Sequence, residues 1–154
     1  MVTAAIALGS NIGDRAAHLG HAVSRLKDLL DDLRVSSFHE TVPVDTPRPQ
    51  PFFLNAGATG QVALSARELL DALLAIERER WRERPHVNAP RTLDLDLVLF
   101  GDAMVDEPGL VLPHPRFRQR RFVLAPLAEI APDMRDPVTG LTVSELLRRL
   151  EAEP

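Results

Sequence analysis

TLDLDLVLF, residues 92–100, sets leucine at every second position and is followed by Gly101 and Asp102. Such alternation reads as a β-strand closed by a turn, with Leu93, Leu95, Leu97 and Leu99 on one apolar face. Asp94 and Asp96 then share the opposite face, their Cα atoms roughly 6.6 Å apart at the usual strand rise.

Outward from this strand, the chain alternates between the two regular periods. VTAAIAL (2–8) reads as a strand, and GSNIGD (9–14) as a turn into a helix capped near Asn11 or Asp14. Leu19, Ala22, Val23, Leu26, Leu29, Leu30 and Leu33 recur at three- and four-residue spacing, which predicts a helix up to Leu33. RVSSFHET (34–41) predicts a second strand, and the four prolines of VPVDTPRPQP (42–51) predict a long irregular loop with room for function. FFLNAGATGQVAL predicts a third strand from Phe52, and Ser65 with Glu68 marks a capping box for a helix to about Arg80. Residues 82–91, bounded by prolines, read as a second long loop.

Past the central strand, Pro113, Pro115, Pro126 and Pro132 predict helical content in short pieces only. Thr142 with Glu145 caps a last amphipathic helix through Leu150. The order β-α-β-β-α-β, with additional C-terminal helices, is that of a ferredoxin-like α+β sheet, and 154 residues suit a single domain.

Composition narrows the function. A net charge of −4 argues against a general nucleic-acid binder, and no segment approaches the roughly 20 apolar residues of a membrane span. The start MVTAAIALGS has no basic stretch before its apolar run, so a cytoplasmic protein is expected. Without cysteine, thiolate catalysis and thiolate zinc sites are excluded, and with five histidines scattered without close metal-ligand spacing, a hard ion held by oxygen is the metal expected. All but one of the 18 basic residues are arginine, concentrated at Arg78, Arg80, Arg82, Arg84 and Arg91 and again at Arg116, Arg118, Arg120 and Arg121. Two such groups read either as solvated surface or as guanidinium clamps for a small polyanion, since arginine grips phosphate with two donors.

Taken alone, Asp94 and Asp96 also fit a solvated sheet face. Beside Arg91 and opposite an apolar face, they suit a divalent metal that relieves their repulsion and carries phosphate oxygens. The chain has no G-x-x-x-x-G-K-[ST], so any phosphoryl chemistry here is not that of a P-loop.

ALGSNIGD, PFFLNA, NAPRTLDLDLVLFGD and LPHPRFRQRRFVLAPLAEIAP, in this order over residues 4 to about 133, closely resemble the 6-hydroxymethyl-7,8-dihydropterin pyrophosphokinases. The resemblance implies attack of a pterin hydroxymethyl oxygen on the β-phosphorus of ATP, with AMP leaving, as a step of folate synthesis. It implies two Mg²⁺ ions on Asp94 and Asp96, and phosphates held by Arg82, Arg91 and Arg120. Glu77, Arg84, Leu97 and His114 would lie at the nucleotide. Phe53 and Phe122 would sandwich the pterin ring, Asn55 would read its edge, and Thr41, Pro43 and Val44 would close that pocket. A monomer taking ATP and a dihydropterin, with no nucleic-acid or membrane partner, is expected.

The chain departs from the family pattern in places. Phe53 replaces a frequent tyrosine, Trp81 stands where glycine often precedes Arg82, Asn88 where tryptophan is common, and one residue is inserted between Thr41 and Phe53. A non-catalytic pterin- or nucleotide-binding relative, and a diphosphotransferase for another pterin, are the competing readings.

Overall fold

The computed structural model describes residues 1–41, 52–80 and 92–153. β1 (Val2–Ser10) leads through α1 (Arg15–Leu29) to β2 (Asp31–Val35) and β3 (His39–Thr41). β4 (Phe53–Val62), α2 (Ala66–Arg80) and β5 (Asp94–Phe100) follow. A small hairpin of β6 (Val105–Glu107) and β7 (Leu110–Leu112) precedes a 3-10 turn at Phe117–Gln119, α3 (Arg121–Ile130) and α4 (Val143–Ala152).

The main sheet runs β2-β4-β1-β5, with β3 also paired to β4, and every pairing is antiparallel. This is the order expected when two β-α-β units interleave, and it puts β1 and β4 at the centre. Alternation along β1 divides the interior. Ala4, Ile6 and Leu8 face the cluster that contains Leu19, Leu26, Leu69 and Leu73 of α1 and α2. Ala5 and Ala7 face Val123, Leu124 and Leu127 of α3 and Val143 and Leu146 of α4. Each fully buried leucine or isoleucine in these layers contributes about 1.5–3 kcal/mol.

α3 sits unusually close to the sheet. A Cβ on Gly57 of β4 would come within 2.9 Å of the Leu127 side chain, so glycine at this point lets the helix down onto the strand. α3 continues through Pro126 for ten residues, where the prolines predicted only short pieces. One proline removes one helical hydrogen bond, and burial of Val123, Leu124 and Leu127 offsets the loss.

The first helix corrects another expectation. α1 ends at Leu29, with Leu30 already extended and its amide bonded to the Leu26 carbonyl. Leu33, assigned by periodicity to the helix, belongs to β2 and packs against the α1/α2 core from there. Leucines spaced by three or four satisfy both a helix stripe and a helix followed by an inward-facing strand residue, and Asp31 and Asp32 are poor helix formers. The segment 34–41 likewise divides into the end of β2 and a separate β3.

The capping predictions hold in detail. Asp14 Oδ1 accepts the Ala17 amide, Ser65 and Glu68 cap each other at α2, and Thr142 and Glu145 form a full capping box at α4.

Candidate active site

β1 lies between β4 and β5, and one of its residues faces both partners. Gly9 is paired with Asn55 on β4 and with Asp94 on β5; two residues earlier, Ala7 is paired with Asp96. With strands about 4.8 Å apart, Asn55 and Asp94 stand roughly 10 Å from each other across a floor with no side chain at Gly9. Any Cβ there would sit 3.1 Å from Asn55 Oδ1. Gly9, read from the sequence as the start of a turn, is thus part of β1 and contributes a flat floor.

Above this floor is a cleft of roughly 320 Å³, lined by Ala7, Leu8, Gly9, Thr41, Phe53, Asn55, Asp94, Asp96, Arg120, Phe122 and Val123. Seven residues selected from the sequence therefore converge on one cavity. At one end Phe53 of β4 and the half-exposed Phe122 of α3 present aromatic surface, and Asn55 Nδ2 donates to Thr41 Oγ1 at 2.6 Å. At the other end lie Asp94 and Asp96, with the Arg120 guanidinium 4.0 Å from Asp96 Oδ2 and its Cζ 5.6 Å from the centre of the Phe122 ring.

The four arginines between 116 and 121 separate into different roles. Arg118 donates twice to Asp136, at 2.6 and 2.9 Å, and Asp136 is fully buried. Burial pushes the Asp136 carboxyl up, but the Arg118, Thr139 and Val138 hydrogen bonds together hold it below the ordinary range. Arg121 pairs with Glu151 of α4. Arg120 alone of the four lines the cleft.

His114 stands beside this end. Its amide bonds the Val98 carbonyl at 2.9 Å, and its Nδ1 accepts the Arg116 amide at 3.1 Å. A backbone amide can only donate, so Nδ1 carries the lone pair and the neutral ring presents Nε2–H. Burial keeps this imidazole below its usual range; nearby Asp96 opposes the shift, and Arg120 and Arg116 reinforce it. Val98 itself is an extra residue in β5. Ala5 pairs with Leu99 and Ile6 with Leu97, so Val98 bulges between them, and Leu99 turns to the α3/α4 side instead of joining Leu93, Leu95 and Leu97. Strict alternation predicts the opposite face for Leu99, and the bulge is the reason for the difference.

Glu77 is not the solvated helix charge that its position on an amphipathic helix allows. It is 2% exposed, and its Oε2 accepts the Leu95 amide at 2.7 Å, between the two aspartates. Leu97 is buried in the α1/α2 core, which leaves its backbone as the part that could meet a ligand. Pro43, Val44, Arg82, Arg84 and Arg91, with Trp81 and Asn88, lie outside the described residues.

Residues 5–132 match the family model for 7,8-dihydro-6-hydroxymethylpterin-pyrophosphokinase. The chain belongs to this family. A Synechocystis 2-amino-4-hydroxy-6-hydroxymethyldihydropteridine pyrophosphokinase is 41% identical over 150 residues, covering 96% of this chain and 76% of its own. Proteins of the same name from Pseudomonas aeruginosa and Bacillus subtilis are 41% and 43% identical, covering 92% and 88% of this chain and 88% and 81% of their own. Among solved structures, the wild-type HPPK-DHPS of Plasmodium falciparum superposes with a TM-score of 0.78 at 14% identity, over 96% of this chain and 44% of that one. The pyrophosphokinase-family match thus reaches from β1 through α3, the elements that build the cleft.

Proposed function

We infer that this chain transfers the diphosphate of ATP to the hydroxymethyl group of 6-hydroxymethyl-7,8-dihydropterin and releases AMP, a step of folate biosynthesis. The observation that carries the reading is the shared floor at Gly9, with an aromatic, amide-bearing end of one cleft a strand to one side and an acidic end a strand to the other. A flat heterocycle stacked between Phe53 and Phe122 points a one-carbon arm toward Asp94 and Asp96. The hydroxymethyl oxygen forms a bond to the β-phosphorus, the bond from that phosphorus to the bridging oxygen of the α-phosphate breaks, AMP leaves with that oxygen, and the hydroxyl proton is lost to solvent.

Two carboxylates on one strand face fit Mg²⁺, which uses one or two protein carboxylates and completes its shell with phosphate oxygens and water. Among the described residues there is no group of three or more acidic, histidine or cysteine side chains that would make a closed metal cage. When bound, two such ions would neutralise phosphate charge and polarise the β-phosphorus. Arg120, at the limit of contact with Asp96, is placed to turn to the phosphates, and His114 offers a neutral Nε2–H donor to the nucleotide. Thr41 orients the Asn55 amide toward the pterin edge. Glu77 serves the site by holding β5, and Arg82, Arg84, Arg91, Leu97, Pro43 and Val44 take the roles the family resemblance implies. The chain is read as a single-domain, cytoplasmic monomer without nucleic-acid or membrane partners; no helix among the described residues is long and apolar enough to cross a membrane.

The test is AMP release from ATP by the purified protein with and without the dihydropterin, in Mg²⁺ and in chelator. AMP that requires both pterin and Mg²⁺ supports the reading. Absence of AMP despite binding of either ligand would make the chain a non-catalytic relative.

A further inference from the structure

The residue that follows the GSNIGD turn has no place in the reaction described above. Gly13 adopts φ 69° and Asp14 caps α1, so the helix begins at Arg15. From the α1 side of the sheet, the face to which Glu40 and its ladder partner Leu54 turn, one terminal nitrogen of the Arg15 guanidinium donates to Glu40 Oε1 at 2.8 Å and the other to the Phe52 carbonyl. Glu40 and Phe52 immediately adjoin Thr41 and Phe53, which are partners in the β3–β4 ladder and line the pterin end of the cleft. One side chain from α1 therefore fastens both strands just outside the pair that forms the pocket wall.

β3 needs such a fastening. It is three residues long and, among the described residues, β4 is the one strand it pairs with, whereas β4 is held against β1 over nine paired residues. At the other end of β3, Glu129 of α3 accepts from the Ser37 amide, the Ser37 hydroxyl and His39 Nε2. The Thr41 end has Arg15. An exposed ion pair alone would matter little, but this guanidinium is only 27% exposed and joins two segments 25 and 37 residues away, one through a neutral carbonyl.

We propose that Arg15 is a positioning residue for the dihydropterin end of the cleft, setting Thr41 Oγ and the Phe53 ring relative to Asn55 without touching the substrate. The proposal rests on the reading of this cleft as the dihydropterin site. Because β4 keeps its place without Arg15, loss of the guanidinium acts on pterin recognition and leaves the acidic end and the fold intact.

The experiment compares Arg15→Ala, Arg15→Lys and Glu40→Gln in the full chain, measuring kcat, KM for dihydropterin, KM for MgATP and the melting temperature. Arg15→Ala is expected to raise the pterin KM about tenfold while kcat and the ATP KM stay within about twofold. Arg15→Lys, able to satisfy one acceptor at a time, falls between wild type and Arg15→Ala; Glu40→Gln keeps the Phe52 contact and a neutral acceptor and stays within about threefold. An unchanged pterin KM in Arg15→Ala overturns the role, as does a rise of both KM values together with a lowered melting temperature, which marks a merely structural contact. Calorimetric pterin binding in Mg²⁺ and α,β-methylene-ATP is read in parallel. A wild-type chain that binds no dihydropterin overturns the assignment of the cleft and the proposal with it, whereas a wild type that binds, matched by an equally tight Arg15→Ala variant, overturns the positioning role alone.

Discussion

Glu77, buried on α2, accepts the backbone amide of Leu95 at 2.7 Å and so grips β5 at the one residue that separates Asp94 from Asp96. Helix and acid pair are thereby coupled. Replacing Glu77 with alanine strands a buried amide and is expected to cost about 1–3 kcal/mol of stability. It should also lower turnover more than Glu77→Gln, which retains an acceptor oxygen. Denaturant melts together with steady-state rates of both variants check this.

Gly9 sits under the middle of the cleft. A methyl group there would press on Asn55 Oδ1 from 3.1 Å, and that oxygen would have to shift by a few tenths of an ångström. Gly9→Ala is therefore expected to weaken pterin binding several-fold, on the order of 1 kcal/mol, with MgATP binding little changed. Calorimetric titration of each ligand distinguishes this from a general loss of folding.

Arg118 and Arg120, two residues apart, should give opposite phenotypes. Arg118→Ala leaves the fully buried Asp136 carboxylate without its cation, which costs about 3–5 kcal/mol. Activity per folded molecule should persist. Arg120→Ala should stay within about 0.5 kcal/mol of wild type in stability and lose most of its turnover. Urea unfolding midpoints set against kcat separate the two, and an inactive but stable Arg118→Ala would reverse the assignment.

Three hydrogen bonds, from the Ser37 amide, the His39 ring and the Ser37 hydroxyl, hold the Glu129 carboxyl down to about 2 from an ordinary 4.5. Between these values the unfolded chain takes up the proton before the folded one does. Stability from this contact is thus complete above pH 4.5 and is lost as pH falls toward 2. Glu129→Gln should flatten the fall in melting temperature across that window relative to wild type. Added salt should reduce the difference, since the carboxylate is exposed.

Much of the site is legible in the chain because it is carried by strands. Period-two alternation places Asp94 with Asp96, and Phe53 with Asn55, whatever the strands pack against. The capping signatures at Ser65 and Thr142 are equally local, and the structure contains both. Less legible are features that depend on a neighbour. The end of α1, the passage of α3 through Pro126 and the bulge at Val98 each follow from packing against another element, which no single stretch of sequence encodes.

By itself, then, the sequence determined the β-α-β-β-α-β plan of the main sheet, the α+β class and a set of residues with the right chemistry, but not the separate β3 or the β6–β7 hairpin. Only the tertiary structure decided how these residues divide their work. Five arginine and acidic side chains show why: Arg118 became the partner of the buried Asp136, Glu77 a brace for β5, Arg15 a clamp on β3, and Arg120 the one cleft-lining arginine of its group. Side-chain type and local periodicity are properties of a short stretch, whereas burial and hydrogen-bond partnership arise where distant segments meet, and those set what a charged group can do.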